Sequence, residues 1–210
     1  MDIPVFKDIK KAHEIIKNYA HRTPVLTSGS INKIVGGDLF FKCENFQKVG
    51  AFKFRGACNA VFSLSEEDAY KGVGTHSSGN HAAALALAAK IRGIEANIVM
   101  PDNSPEIKKK AVAGYGAKIT FCKPTLQDRE STLARVIEVT GATEIHPYNN
   151  FFVIAGQGTA AKELIEDYGT FDTIMAPVGG GGLLSGTALS VKHLLPDCKV
   201  IAAEPAGADD

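Results

Sequence analysis

The chain has 210 residues, 45% hydrophobic and 22% charged, with 23 basic residues balancing 23 acidic ones. That composition suits a globular chain with its own core, and zero formal charge removes the electrostatic case for nucleic acid or an anionic membrane as partner. Cys43, Cys58, Cys122 and Cys198 form no C-x-x-C pair, which fits reduced thiols rather than a disulfide frame or zinc site.

Ile9, Ala12, Ile15, Ile16 and Tyr19 recur at helical spacing and predict an amphipathic N-terminal helix. Charges interrupt Met1–Lys17, so no secretory signal is visible, and no run approaches the ~20 apolar residues of a membrane span. A cytoplasmic protein is expected. Thr23-Pro24 ends the first helix and turns the chain extended. A strand over 38–43 and a helix over 54–64 flank a loop carrying Lys53. Ser65, followed by Glu66, Glu67 and Asp68, opens another helix. Strands expected at 72–75, 96–100, 118–122, 173–178 and 199–203 then alternate with helices at 80–92, 105–113, 126–140, 154–168 and 183–195. Such alternation predicts an α/β fold of parallel sheets covered by helices on both faces, with ligands at the carboxyl ends of the strands. Seams near 64–72 and at Pro147–Asn150 divide the chain into a large domain, 1–71 with 149–210, and a small inserted α/β domain, 72–148. Because the chain stops at Asp209-Asp210 just after a strand, the large domain is expected to be incomplete at its C-terminal side.

Three loops carry chemistry. In the first, Lys53 lies between Phe52 and Phe54, with Gly50 and Gly56 beyond. Such a lysine either lays its stem over apolar surface or is a partly desolvated amine of lowered pKa. The neutral amine attacks a carbonyl to form a Schiff base. In the second, Gly179, Gly180, Gly181 and Gly182 join a buried-looking strand to a helix. Consecutive glycines let backbone N–H groups converge on an anion, and the helix N-terminus adds positive potential, making a phosphate cradle. No Lys-Ser/Thr follows, which excludes a nucleotide P-loop. Gly180-x-Gly182-x-x-Ser185, with Glu204 ending the next strand, nearly matches a dinucleotide fingerprint, but it leaves Lys53 without a task. A phosphorylated cofactor bearing an aldehyde uses both features, and pyridoxal 5′-phosphate is that molecule.

The third loop contains Ser77-Ser78-Gly79-Asn80-His81, ahead of an alanine-rich helix. Its residues suit a plain helix cap. The functional reading gives Asn80 a hydrogen bond to the cofactor ring hydroxyl. Backbone amides of the loop hold a substrate carboxylate, and Ser78 presents its hydroxyl to the substrate α-carbon. His76, His81 and His146 are expected to satisfy hydrogen bonds rather than act as bases.

Ala51-Phe-Lys-Phe-Arg-Gly-Ala57, Ser77-Ser-Gly-Asn-His81, Gly156-Gln-Gly-Thr159 and Pro177-Val-Gly-Gly-Gly-Gly182 together resemble the fold-type II pyridoxal-phosphate enzymes, which are two-lobed and tryptophan-synthase-β-like. Within them the chain is similar to the serine racemases, with the serine/threonine dehydratases close behind. The resemblance covers all 210 residues. It implies Lys53 as the Schiff-base lysine, Asn80 at the cofactor ring, and the glycine turn with the Leu183 amide around the phosphate. Ser77, Ser78, Gly79, Asn80 and His81 would form the substrate loop. It further implies a divalent cation, Mg²⁺ or Ca²⁺, held by the carboxylates of Glu204 and Asp210 and the backbone carbonyl of Ala208. A homodimer acting on a small hydroxy amino acid is implied as well. Lys48 matches a nucleotide-contact position, which brings in ATP as an effector. Ala82-Ala83, however, replace the glutamine that often helps hold it. The side chain facing the pyridine nitrogen would come from beyond residue 210.

The implied reaction is interconversion of L- and D-serine by Lys53 and Ser78 on opposite faces, accompanied by β-elimination to pyruvate and ammonia. The alternatives are a serine, threonine or 3-hydroxyaspartate dehydratase without racemisation, a non-catalytic phosphate-ligand-binding fragment, and a dinucleotide oxidoreductase.

Overall fold

The computed structural model describes residues 2–207. In chain order the elements are α1 (Phe6–Ile16), β1 (Val25–Leu26), α2 (Gly29–Val35), β2 (Phe41–Lys42), α3 (Lys53–Phe62) and α4 (Glu66–Lys71). They continue with β3 (Val73–His76), α5 (Asn80–Arg92), β4 (Ala96–Pro101), α6 (Glu106–Gly114), β5 (Lys118–Cys122), α7 (Leu126–Thr140) and β6 (Thr143–Glu144). The last four are α8 (Phe151–Tyr168), β7 (Thr173–Pro177), α9 (Gly182–Leu194) and β8 (Lys199–Ala203). No helix among the described residues is long and apolar enough to cross a membrane.

Strands β5-β4-β3-β6 form one all-parallel sheet in that order. β4 is buried along all six residues, as expected of a central strand covered on both faces. The alanines of α5 bring that helix close. Ala82, Ala84, Leu85, Ala86, Ala88 and Ala89 are buried and share one core with Phe54, Val61, Val73 and Ile98. β7 and β8 make a separate parallel pair, and β1 and β2 an antiparallel one. Leu39–Phe41 and Thr173–Met175 line an apolar groove of about 600 Å³. Two elements were not expected from sequence. α2 is short, and its Ile34 and Val35 are exposed, so it shows no core-facing period. β6 is two residues long and exists only by pairing with β3.

α8 is the axle of the rest. Its residues Val153–Ile165 are all buried, because α1, α3 and α9 pack around it. Glycines set the approach. A Cβ on Gly156 would lie 2.6 Å from the Gly56 Cα in α3, and one on Gly186 in α9 would lie 2.5 Å from the Gly158 nitrogen. Gln157, also fully buried, accepts the Gly56 N–H. The Gly156-Gln-Gly-Thr159 motif is therefore a helix-crossing device.

Beside this crossing lies a buried ion cluster. Arg55 is 0% exposed. Its Nε and Nη2 donate to Glu44, and its Nη1 and Nη2 donate to Glu163, each at 2.8 Å. Lys42 donates to Glu163 at 2.7 Å, and the Thr23 hydroxyl to Glu44 at 2.6 Å. Burial opposes the guanidinium charge, but the hydrogen bonds to Glu44 and Glu163 outweigh it and raise the Arg55 pKa. Burial likewise works against the Glu163 charge, yet Arg55 and Lys42 hold its carboxyl below the usual range.

Candidate active site

Lys53 is the first residue of α3, and its ε-nitrogen points back out of the helix. Nζ donates to the Pro147 carbonyl at 2.9 Å and lies 5.2 Å from the Phe52 ring centroid. Burial lowers its pKa below the ordinary lysine value, so a larger share of the amine is unprotonated near neutrality. Only one of the two flanking rings accompanies the amine. Phe54 points into the core, fully buried, and carries the Lys48 ammonium over its ring instead. Val49, four residues upstream, adopts φ 58°, a strained conformation for a β-branched residue and one that clusters at functional loops. Gly56 is required by the α8 crossing rather than by the amine.

The same cavity joins Lys53 to the glycine turn. It measures about 310 Å³ and is lined by Phe52, Lys53, Pro177, Val178, Gly179–Gly182 and Leu183. The four glycines differ in purpose. Gly181 has φ 79° and caps α9 in the left-handed region. Gly179 and Gly181 have no atom within 4 Å of where a Cβ would stand. A Cβ on Gly180, by contrast, would fall 2.1 Å from the Tyr148 ring, and one on Gly182 would fall 3.2 Å from Tyr148 atoms. Two glycines thus leave room, and two admit Tyr148.

Helix starts separate structural caps from open ends. α2, α4, α7 and α8 begin on Ser28, Ser65, Thr125 and Asn150, whose side chains each accept a first-turn N–H. α9 on Gly181 and α5 on Gly79 begin without a side-chain cap, as do α1, α3 and α6 on Val5, Phe52 and Pro105. Among these, the first turn of α9 borders the Lys53 cavity, where its N–H groups can meet an anion. An open helix end, clear space at two glycines and a desolvated amine in one cavity fit a coenzyme that carries both a phosphate and an aldehyde.

The serine loop lies apart from that cavity lining. Ser77, Ser78 and Gly79 are half-buried, and Asn80 is exposed at the head of α5. The Ser77 hydroxyl accepts the Gly79 N–H at 3.3 Å. The His81 side chain makes a structural hydrogen bond, in line with the expectation that it is no base. The ring is buried, its Nε2 pairs with the Ile145 carbonyl at 3.0 Å, and burial pushes its pKa down to about 3. A ring so occupied leaves only the backbone of His81 for substrate. Glu204 follows β8 directly and is half-buried. Ala208 and Asp210 lie outside the described residues, so the three-ligand cation site has one described member.

Two contributors escaped the sequence reading. One is Lys108 of α6, whose Nζ lies 3.8 Å from where a Gly79 Cβ would stand, bringing a cation to the serine loop. The other is the His146–Asn149 turn, which supplies the Pro147 carbonyl to Lys53. A backbone carbonyl has no residue-type signature, and sequence pattern marks this turn only as a seam between lobes.

The family model for "Pyridoxal-phosphate dependent enzyme" matches residues 16–210. Serine racemase of Dictyostelium discoideum is 56% identical over 204 residues, which is 97% of this chain and 63% of that protein. Beta-hydroxyaspartate dehydratase of Paracoccus denitrificans is 54% identical over 210 residues, which is all of this chain and 67% of that protein. The solved structure of maize serine racemase superposes with a TM-score of 0.98 at 52% identity, covering 100% of this chain and 64% of that one. The chain thus spans somewhat under two thirds of the length of most of these relatives.

Proposed function

Because the chain belongs to the pyridoxal-phosphate-dependent enzymes, we propose that it holds this coenzyme at Lys53 and interconverts L- and D-serine, with accompanying elimination to pyruvate and ammonia. The observation that carries the reading is the cavity shared by the Lys53 amine and the open N-terminus of α9. The likeness to two serine racemases supports the substrate class. The dinucleotide alternative lapses with family membership.

Bound pyridoxal phosphate supplies an electron sink that makes the substrate α-proton removable. The chain's own residues do the rest. Backbone N–H groups from Gly179 to Leu183 would hold the phosphate, and Asn80 would bond the ring hydroxyl. The first turn of α5, with the amides of Ser78, Asn80 and His81, receives the substrate carboxylate, the Ser77 and Gly79 N–H groups being taken by the Val99 carbonyl and the Ser77 hydroxyl. Lys53, unprotonated in part because it is desolvated, takes the α-proton from one face. The Ser78 hydroxyl delivers a proton to the other, and two acid/base groups on opposite faces invert the centre. A serine oxygen is a weak base; the cation of Lys108, 3.8 Å from where a Gly79 Cβ would stand, is the positive charge the structure brings to this loop. When the β-hydroxyl leaves instead, the same site produces pyruvate and ammonia.

A second reading, dehydration of 3-hydroxyaspartate without racemisation, is favoured by the match of this whole chain to 67% of the Paracoccus dehydratase. We extend the proposal to a divalent cation at Glu204, Ala208 and Asp210, a homodimer, and ATP acting near Lys48. Residues 72–148 are proposed as the inserted small domain, since every pairing of the four-stranded sheet falls within 73–144.

Borohydride reduction of the complete protein with coenzyme, followed by peptide mapping, should leave coenzyme mass on the peptide carrying Lys53. Chiral analysis of serine and a pyruvate assay then separate the two readings. Modification elsewhere, or none, would sink both.

A further inference from the structure

The chain after β6 is tied down by two histidines. His81 in α5 holds the Ile145 carbonyl. His146 Nδ1 accepts the Asn149 N–H at 3.0 Å and the Tyr148 N–H at 3.4 Å. An accepting Nδ1 carries a lone pair, so this imidazole is neutral with its proton on Nε2. Held in that turn are the Pro147 carbonyl, 2.9 Å from Lys53 Nζ, and the Tyr148 ring that rests on Gly180. One side chain therefore fixes the segment that touches both the amine and the glycine turn.

We propose that His146 is a positioning residue for Lys53: its neutral ring keeps the 146–149 turn in the form that aims the Pro147 carbonyl at the ε-nitrogen. This rests on Lys53 being the reactive amine and adds that a proton taken up outside the reacting groups decides where that amine stands. A protonated ring cannot accept, so two backbone N–H groups lose their partner and the carbonyl is released. The groups facing His146 are His76 at the end of β3, with ring centroids 6.2 Å apart, Tyr148 at 4.6 Å in its own turn, Glu144 of β6, Glu130 of α7, and Lys53 of α3. Burial, then the neighbouring His76, pull the His146 pKa below the ordinary imidazole value, against the two glutamates. The turn is accordingly intact near neutrality and comes apart only in acid.

Asparagine provides the control. Its side-chain oxygen accepts N–H groups two and three residues on, as in Asx turns, and it does not titrate. The apoprotein would be compared as wild type, His146→Asn and His146→Leu. Amide hydrogen exchange at residues 148–149 is measured after correction for intrinsic rates, and Lys53 acylation by acetic anhydride is followed by mass spectrometry. His146→Leu should accelerate exchange about tenfold, since local protection reports the lost hydrogen bonds. It should also label Lys53 roughly threefold faster at about pH 8, because the amine loses the acceptor that favours its charged form. His146→Asn should match wild type in both. Below about pH 6, wild type should lose protection while His146→Asn keeps it.

Equal protection in all three proteins, or leucine-like behaviour of His146→Asn, overturns the proposal. If His146→Leu does not fold, the acid comparison of wild type with His146→Asn decides alone. Failure of the coenzyme reading would be seen separately, as absent coenzyme mass on Lys53 with the exchange results unchanged.

Discussion

Arg55→Met puts the buried ion cluster to a quantitative test. In the native fold two cations, Arg55 and Lys42, balance two carboxylates, Glu44 and Glu163. Removing the guanidinium leaves the cluster with a net negative charge and strips four 2.8 Å hydrogen bonds. Glu163 keeps only Lys42 among its cations, and Glu44 keeps only the Thr23 hydroxyl and the peptide environment around it. Breaking a buried pair by deleting one partner costs about 3–5 kcal/mol. For a chain of this size that corresponds to a fall in Tm of roughly 6–20 °C. The pH dependence has a definite sign. Glu163 is held below the usual carboxyl pKa in the native protein, so its contribution is present above the unfolded value and disappears as pH falls through the native one. Without Arg55, burial dominates and the carboxyl shifts above the usual range. The folded variant then takes up a proton readily, and its deficit relative to wild type narrows as pH drops from about 8 toward about 5. Thermal unfolding followed by circular dichroism across that range measures this directly. A deficit under about 1 kcal/mol, or one that does not change with pH, would refute the argument that charge imbalance, rather than lost packing, controls the site.

Gly156→Ala should destabilise the protein by about 1–2 kcal/mol in urea titrations, since two backbone clashes under 3 Å outweigh the ~1 kcal/mol helix-propensity gain of alanine. Gly179→Ala, whose Cβ meets nothing, should leave unfolding within about 0.5 kcal/mol of wild type. Its coenzyme retention on dialysis should nevertheless fall. Ser78→Ala should suppress inversion of L-serine by about 100-fold or more while elimination falls less, as read by chiral chromatography beside pyruvate release. Equal losses would argue against two-face proton transfer. Chelation of divalent cations should lower Tm in the complete wild-type protein but not in Glu204→Gln.

Much of this architecture is legible in the linear chain because its signals are local. The strands expected at 72–75, 96–100 and 118–122 lie within a residue of β3, β4 and β5, and the helix expected at 80–92 is α5. α2 escaped because a helix that buries nothing has no apolar stripe, and β6 because two residues form a strand only when a neighbour is already present. Lys53 and the glycine run are similarly visible from composition. Sequence cannot say which glycine yields space and which absorbs a neighbour. Gly179 and Gly180 are adjacent and chemically identical, yet one faces open cavity and the other the Tyr148 ring. The acceptor for the lysine lies 94 positions away and is a main-chain oxygen, which no residue pattern encodes.

The glycine contacts along α8 have a mechanical consequence. Where main chain rests on main chain there is no side chain to rotate aside, so α3, α8 and α9 shift together or not at all. Lys53 heads the first of these helices and the tetraglycine turn heads the last. The spacing between the amine and the turn is therefore set by backbone contact rather than by side chains that can rotate.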